Sequence, residues 1–113
     1  MLRSIKSSQR QVRILAFRIE GSTGTPSIEG LDKNAVSVTD TAAGTYTIEL
    51  SQPFANTEYH VVATVEGEDK AATVTITDKD TFVVKVNDID ETAALSDDDV
   101  QVIVIGSDIT DRY

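Results

Sequence analysis

The amino-acid sequence predicts an all-β protein: an antiparallel β-sandwich, or a jelly-roll-like barrel, of about seven strands behind an extended N-terminal arm. Three observations predict this class. Val, Ile and Thr recur in runs that alternate apolar with polar residues, the period-two signature of strands half buried against a core. Clusters of Gly, Asp, Ser and Pro punctuate those runs at short intervals. Helical periodicity is nearly absent. A chain of 113 residues has room for one domain, placed at 12–113 after a basic arm at 1–11.

Taken in order, the first strand is expected at 12–20, where Arg13 to Ile19 carries apolar side chains on both parities. A long connection from Gly21 to Lys33, with three of the six glycines and Pro26, predicts a flexible or Ω-like excursion. Val36 and Val38 alternate with Ser37 and Thr39, placing a strand at 34–39. Tyr46, Ile48 and Leu50 alternate with Thr45, Thr47 and Glu49, placing another at 45–51. Strands at 58–66 and 71–78 flank the turn around Gly67, and Ala72, Val74 and Ile76 alternate with threonines in the second. The run FVVKV from Phe82 to Val86 lies in a strand at 80–88, and VQVIVI from Val100 to Ile105 in one at 99–106. An acidic connection, Ile89 to Asp98, joins these last two.

Three of these strands are apolar on both faces, and a two-layer sandwich of one small chain covers only one face of each. A neighbouring subunit is the expected cover, with Val83, Ile103 and Ile105 among the covered residues. Without Cys, neither disulfides nor thiolate metal sites can supplement the modest core.

Charge divides the chain. The first 19 residues hold five of the ten basic residues (Arg3, Lys6, Arg10, Arg13, Arg18) and no acidic one, about +5; the rest holds five basic and all nineteen acidic residues, about −14; together these give −9. Such asymmetry predicts an arm that meets an acidic partner, with Arg3, Lys6, Arg10 and Arg13 as contacts. A strongly acidic body disfavours nucleic acid. No run approaches the ~20 apolar residues of a membrane span, and none of ~7 follows the basic start as a signal peptide requires, so synthesis in a cytoplasm is expected.

Candidate chemistry is sparse. His60 is the only His and lacks a second ligand or a Gly-x-Ser-x-Gly nucleophile motif nearby, so it reads as a solvated or subunit-contacting residue and no enzyme is expected. Asp88, Asp90 and Glu91 enter the acidic connection, and Asp97, Asp98 and Asp99 leave it. Calcium takes six to eight oxygens, which such a loop could supply, but the pattern lacks the glycine and distal Glu of an EF-hand. A solvated loop that keeps a sheet edge from pairing is the expected reading, and no cofactor is assigned.

The strings GTYTIELSQPF (Gly44 to Phe54), YHVVATV (Tyr59 to Val65), TFVVKV (Thr81 to Val86) and VIVIG (Val102 to Gly106) resemble small β domains of tailed-bacteriophage virion proteins, both fibre-associated and head-decoration domains. The resemblance covers roughly residues 34–106 and consists of a strand-and-turn pattern without a chemical signature. It implies a structural role in the virion, often as a homotrimer attached to the major capsid protein or another virion protein. A chain opening on Met1 with only a short arm fits decoration or cementing of a shell. The alternative is a tail-fibre or receptor-binding domain that recognises a cell-surface glycan, with calcium at the acidic loop.

Overall fold

The computed structural model describes residues 12–21, 25–67, 69–88 and 98–107. They form strands β1 (Val12–Glu20), β2 (Ser27–Glu29), β3 (Val36–Ala42), β4 (Thr45–Leu50), β5 (His60–Val65), β6 (Lys70–Ile76), β7 (Thr81–Asp88) and β8 (Val100–Ser107), with one turn of 3₁₀ helix at Lys33–Ala35. Two four-stranded antiparallel sheets result: sheet A in the order β2-β1-β8-β5 and sheet B in the order β3-β4-β7-β6. Each sheet ends in edge strands that are not hydrogen-bonded to the other sheet, so the architecture is an open sandwich and not a closed barrel.

Alternation assigns every long strand an inner face. Leu15, Phe17 and Ile19 of β1, and Val100, Val102 and Val104 of β8, are buried against Tyr46, Ile48 and Leu50 of β4 and Phe82, Val84 and Val86 of β7. Among the described residues no polar or charged residue is buried. Burying a large aliphatic side chain contributes about 1.5–3 kcal/mol, and this continuous apolar layer is what holds the sheets together. Phe54 and Tyr59, on the β4–β5 connection, close one end of it, with rings stacked at 4.8 Å.

Two features of the connections differ from expectation for identifiable reasons. Part of the Gly21–Lys33 segment is a strand and not loop: Ser27, Ile28 and Glu29 pair with Glu20, Ile19 and Arg18. Three residues are too few to display alternation. Asp32 then extends this edge without being a strand, because its Oδ2 accepts the Ala16 N–H at 2.7 Å and its own N–H donates to the Ala16 carbonyl at 3.0 Å. At the β3–β4 turn Gly44 has φ 67°, a conformation costly for side-chain-bearing residues, and its carbonyl accepts the Val86 N–H.

Candidate interaction surface

The outer face of sheet A is laid out in cross-strand rows by its register. Val12 pairs with Ser107; Ile14, Ile105 and His60 form the next row; Ala16, Ile103 and Val62 the third; Arg18, Gln101 and Thr64 the fourth. The first three rows contain no Asp, Glu, Lys or Arg. Their apolar members are open to solvent: Ile14 is 60% exposed, Val62 58%, Val12 55%, Ile103 45% and Ile105 39%. Isolated exposed aliphatics are ordinary, but a contiguous patch on one face of a small protein marks a contact surface.

A shallow groove of about 330 Å³ lies on this face, lined by Ala16, Val62 and Ile103, by Gly30 and Leu31, and by Arg18, Thr64 and Gln101 of the neighbouring row. Leu31 is 86% exposed. It stands on the turn that Asp32 clamps to the Ala16 backbone, so its position is set by two hydrogen bonds.

The far end of the same face is ionic. The Arg18 guanidinium reaches Asp99 Oδ2 at 3.1 Å, Glu66 Oε2 at 2.9 Å and Glu20 Oε2 at 3.3 Å, while Gln101 Nε2 donates to Glu66 Oε2 at 3.1 Å. Arg18 Nε has no aligned hydrogen bond, so its contact with Glu66 is Coulombic. The hydrogen bond to Asp99 raises the guanidinium pKa above its ordinary value; partial desolvation works against this, and the Glu66, Glu20 and Asp99 charges add to it. Three carboxylates are thus gathered around one cation in the row next to the apolar ones, and Arg18 also borders the groove.

The outer face of sheet B has a different character. Thr39, Thr47, Val83 and Thr75 form one row across its four strands. Val83 is half-buried, with Thr47 and Thr75 opposite it on the two neighbouring strands. It therefore lies on the opposite side of the sandwich from Ile103 and Ile105, and one contact cannot cover all three.

Arg13 is placed differently from the expected partner contact. It shares the inward parity of Leu15, Phe17 and Ile19, and its guanidinium lies 4.2 Å from the Phe54 ring centroid while donating to the carbonyls of Gln52 and Pro53, both at 2.9 Å. Its charge is used in closing the end of the core. Arg3, Lys6 and Arg10 lie outside the described residues, as do Asp90, Glu91 and Asp97 and the side chain of Asp88. Asp98 lies 3.7 Å from Lys70 Nζ. Among the described residues no group of three or more His, Asp or Glu could hold a metal ion. His60 is exposed at the margin of the apolar rows.

Val12, Ile14 and Val62 belong to the surface although the sequence reading singled out none of them. The signal was there in part, since β1 and the Val61–Val62 doublet place apolar residues on both parities. Leu31 sits in a turn and gave no pattern to read. No protein-family model, curated protein or solved structure matches the chain.

Proposed function

We propose that the protein is a non-enzymatic structural protein of a tailed-phage virion, decorating or cementing the capsid. In this reading the basic segment 1–11 engages the major capsid protein or another acidic virion protein, and the outer face of sheet A makes subunit contacts. The chain is made in the host cytoplasm and resides in the virion. The observation that carries the reading is the uncharged apolar face of Val12, Ile14, Val62, Ile103 and Ile105 on a protein of net charge −9. An acidic chain that leaves one face apolar is built to be covered there. The opposite charge of Arg3, Lys6 and Arg10 supports a second, electrostatic attachment. The virion setting itself is supported by the strand-and-turn resemblance of residues 34–106.

Co-sedimentation with shells assembled without this protein tests the proposal. The full chain should sediment with shells, less so as salt rises, and a chain lacking residues 1–11 should stay in the supernatant. Failure of the full chain to bind at low salt would refute the proposal, and retention on host-cell glycans instead would assign a receptor-binding role.

A further inference from the structure

We propose that the apolar face of sheet A seats a second copy of this chain, packed face to face about a two-fold axis, with Leu31 of each copy in the groove of the other. This rests on the subunit-contact role proposed above and specifies the occupant and the symmetry.

Charge restricts where an identical partner can dock. Two chains of −9 repel wherever carboxylates approach each other. The rows from Val12 to Val62 carry none, and the acidic residues at the end of the sheet are drawn in around Arg18. A charged peptide would find no counter-charge on those rows and would lose hydration on docking. An equally uncharged face loses none.

Shape points the same way. Leu31 is the most exposed of the large apolar side chains described, and it forms part of the wall of the groove that Ala16, Val62 and Ile103 share with Arg18, Thr64 and Gln101. A projection and a recess side by side on one surface are exchanged reciprocally by a two-fold, since in an isologous contact each partner presents the same patch. A trimer ring, which the virion resemblance implies, instead needs two different complementary surfaces on each chain. The row containing Val83 offers mostly threonines for the second.

Area sets the strength. The nine, eight and six residues of β1, β8 and β5 with the three of β2, rising about 3.3 Å each in strands about 4.8 Å apart, make a face of roughly 400 Å². The Leu31 turn adds to this, but the total stays below the about 800 Å² per partner of a standard stable interface. The contact is therefore reversible, in the micromolar range or weaker.

Sedimentation velocity of the full chain across a concentration series, from about micromolar to about millimolar as such an interface demands, tests this. The wild type should pass from one to two chains. Leu31→Glu and Ile103→Glu should each raise the midpoint at least about tenfold, equivalent to about 1.4 kcal/mol, with an unchanged β-sheet circular dichroism spectrum. Thr75→Glu, on the opposite face, should leave the midpoint alone. A wild type that stays monomeric, a trimeric mass, or equal association of the Leu31→Glu and Thr75→Glu variants would overturn the proposal. So would a monomer that dimerises only once residues 1–11 are removed, because its own segment would then be the cover. Shell binding is read separately: a monomeric chain that still sediments with shells overturns the dimer alone, and a dimer that ignores shells overturns the virion role alone.

Discussion

Arg13 of β1 lies directly across the ladder from Gly106 of β8, and the missing side chain of the glycine is what lets the arginine close the core. A Cβ on Gly106 would stand 2.6 Å from the Phe54 ring and 2.7 Å from Tyr59 Cβ. Because that space is open, Phe54 stacks on Tyr59 there, and Arg13 lies over Phe54. The β4–β5 connection is thereby fixed to the terminal strand, with the Ala55 N–H also donating to the Ser107 carbonyl.

Gly106→Ala should destabilise the fold by about 1–3 kcal/mol through overpacking of the Phe54–Tyr59 stack. Arg13→Ala should cost about 1–2 kcal/mol, from the stacked cation and the two carbonyl bonds it leaves without a donor. Arg13→Lys should recover only part of this, because a single ammonium cannot fork between Gln52 and Pro53. Urea denaturation checks all three. A Gly106→Ala protein as stable as wild type would show that the close approach is not needed.

Tyr59 predicts an alkaline limit to stability. Its hydroxyl shares its proton between the carbonyls of Asp78 at 2.8 Å and Thr81 at 3.0 Å. Burial first, then the charges of Asp80 and Asp78, push its pKa up to about 12. An unfolded tyrosine ionises near 10. The folded value is the higher one, so the native state favours the neutral phenol, and this contribution is fully present below about pH 10 and lost as pH rises through about 12. Tyr59→Phe should be less stable by about 1 kcal/mol at neutral pH. Its stability should also fall less than that of wild type between these pH values. Identical alkaline profiles for the two proteins would contradict the assignment.

Arg18→Ala should lower the thermal midpoint at low salt, since Glu20, Glu66 and Asp99 are left facing one another. The deficit should shrink as salt is raised, because exposed charges are screened over about 8–10 Å near physiological ionic strength. A salt-independent deficit would mean that the side chain acts by packing.

Val83→Thr should change stability by no more than about 0.5 kcal/mol, because Val83 already sits in a threonine row. Self-association should be unaffected as well. Weakened association in this variant would move the subunit contact to sheet B.

Much of the architecture was legible in the sequence. The pattern located the seven longer strands to within about three residues, the largest miss being the end of β3 at Ala42, because each turns one parity of mainly apolar side chains toward the core. Pairing register was not legible, and it decides which outward residues meet: Ile103 joins Ala16 and Val62, while Val83 joins threonines. The contacts of Arg13 with Phe54, Gln52 and Pro53 were not legible, because its charge was counted with the basic N-terminus, although its parity with Leu15 and Phe17 already pointed inward. Leu31 depends on a turn held by the Asp32 side chain, a local contact without periodicity.

The central claim, that the outer face of sheet A is a subunit contact, is tested most directly by methyl NMR spectra of the full chain over a concentration series. The account predicts concentration-dependent shifts for the methyl groups of Ile14, Leu31, Val62, Ile103 and Ile105, with Val83 on the opposite face and Val84 in the core unmoved. Methyl shifts on sheet A that stay constant over the whole series, or that move only at Val83, would contradict it.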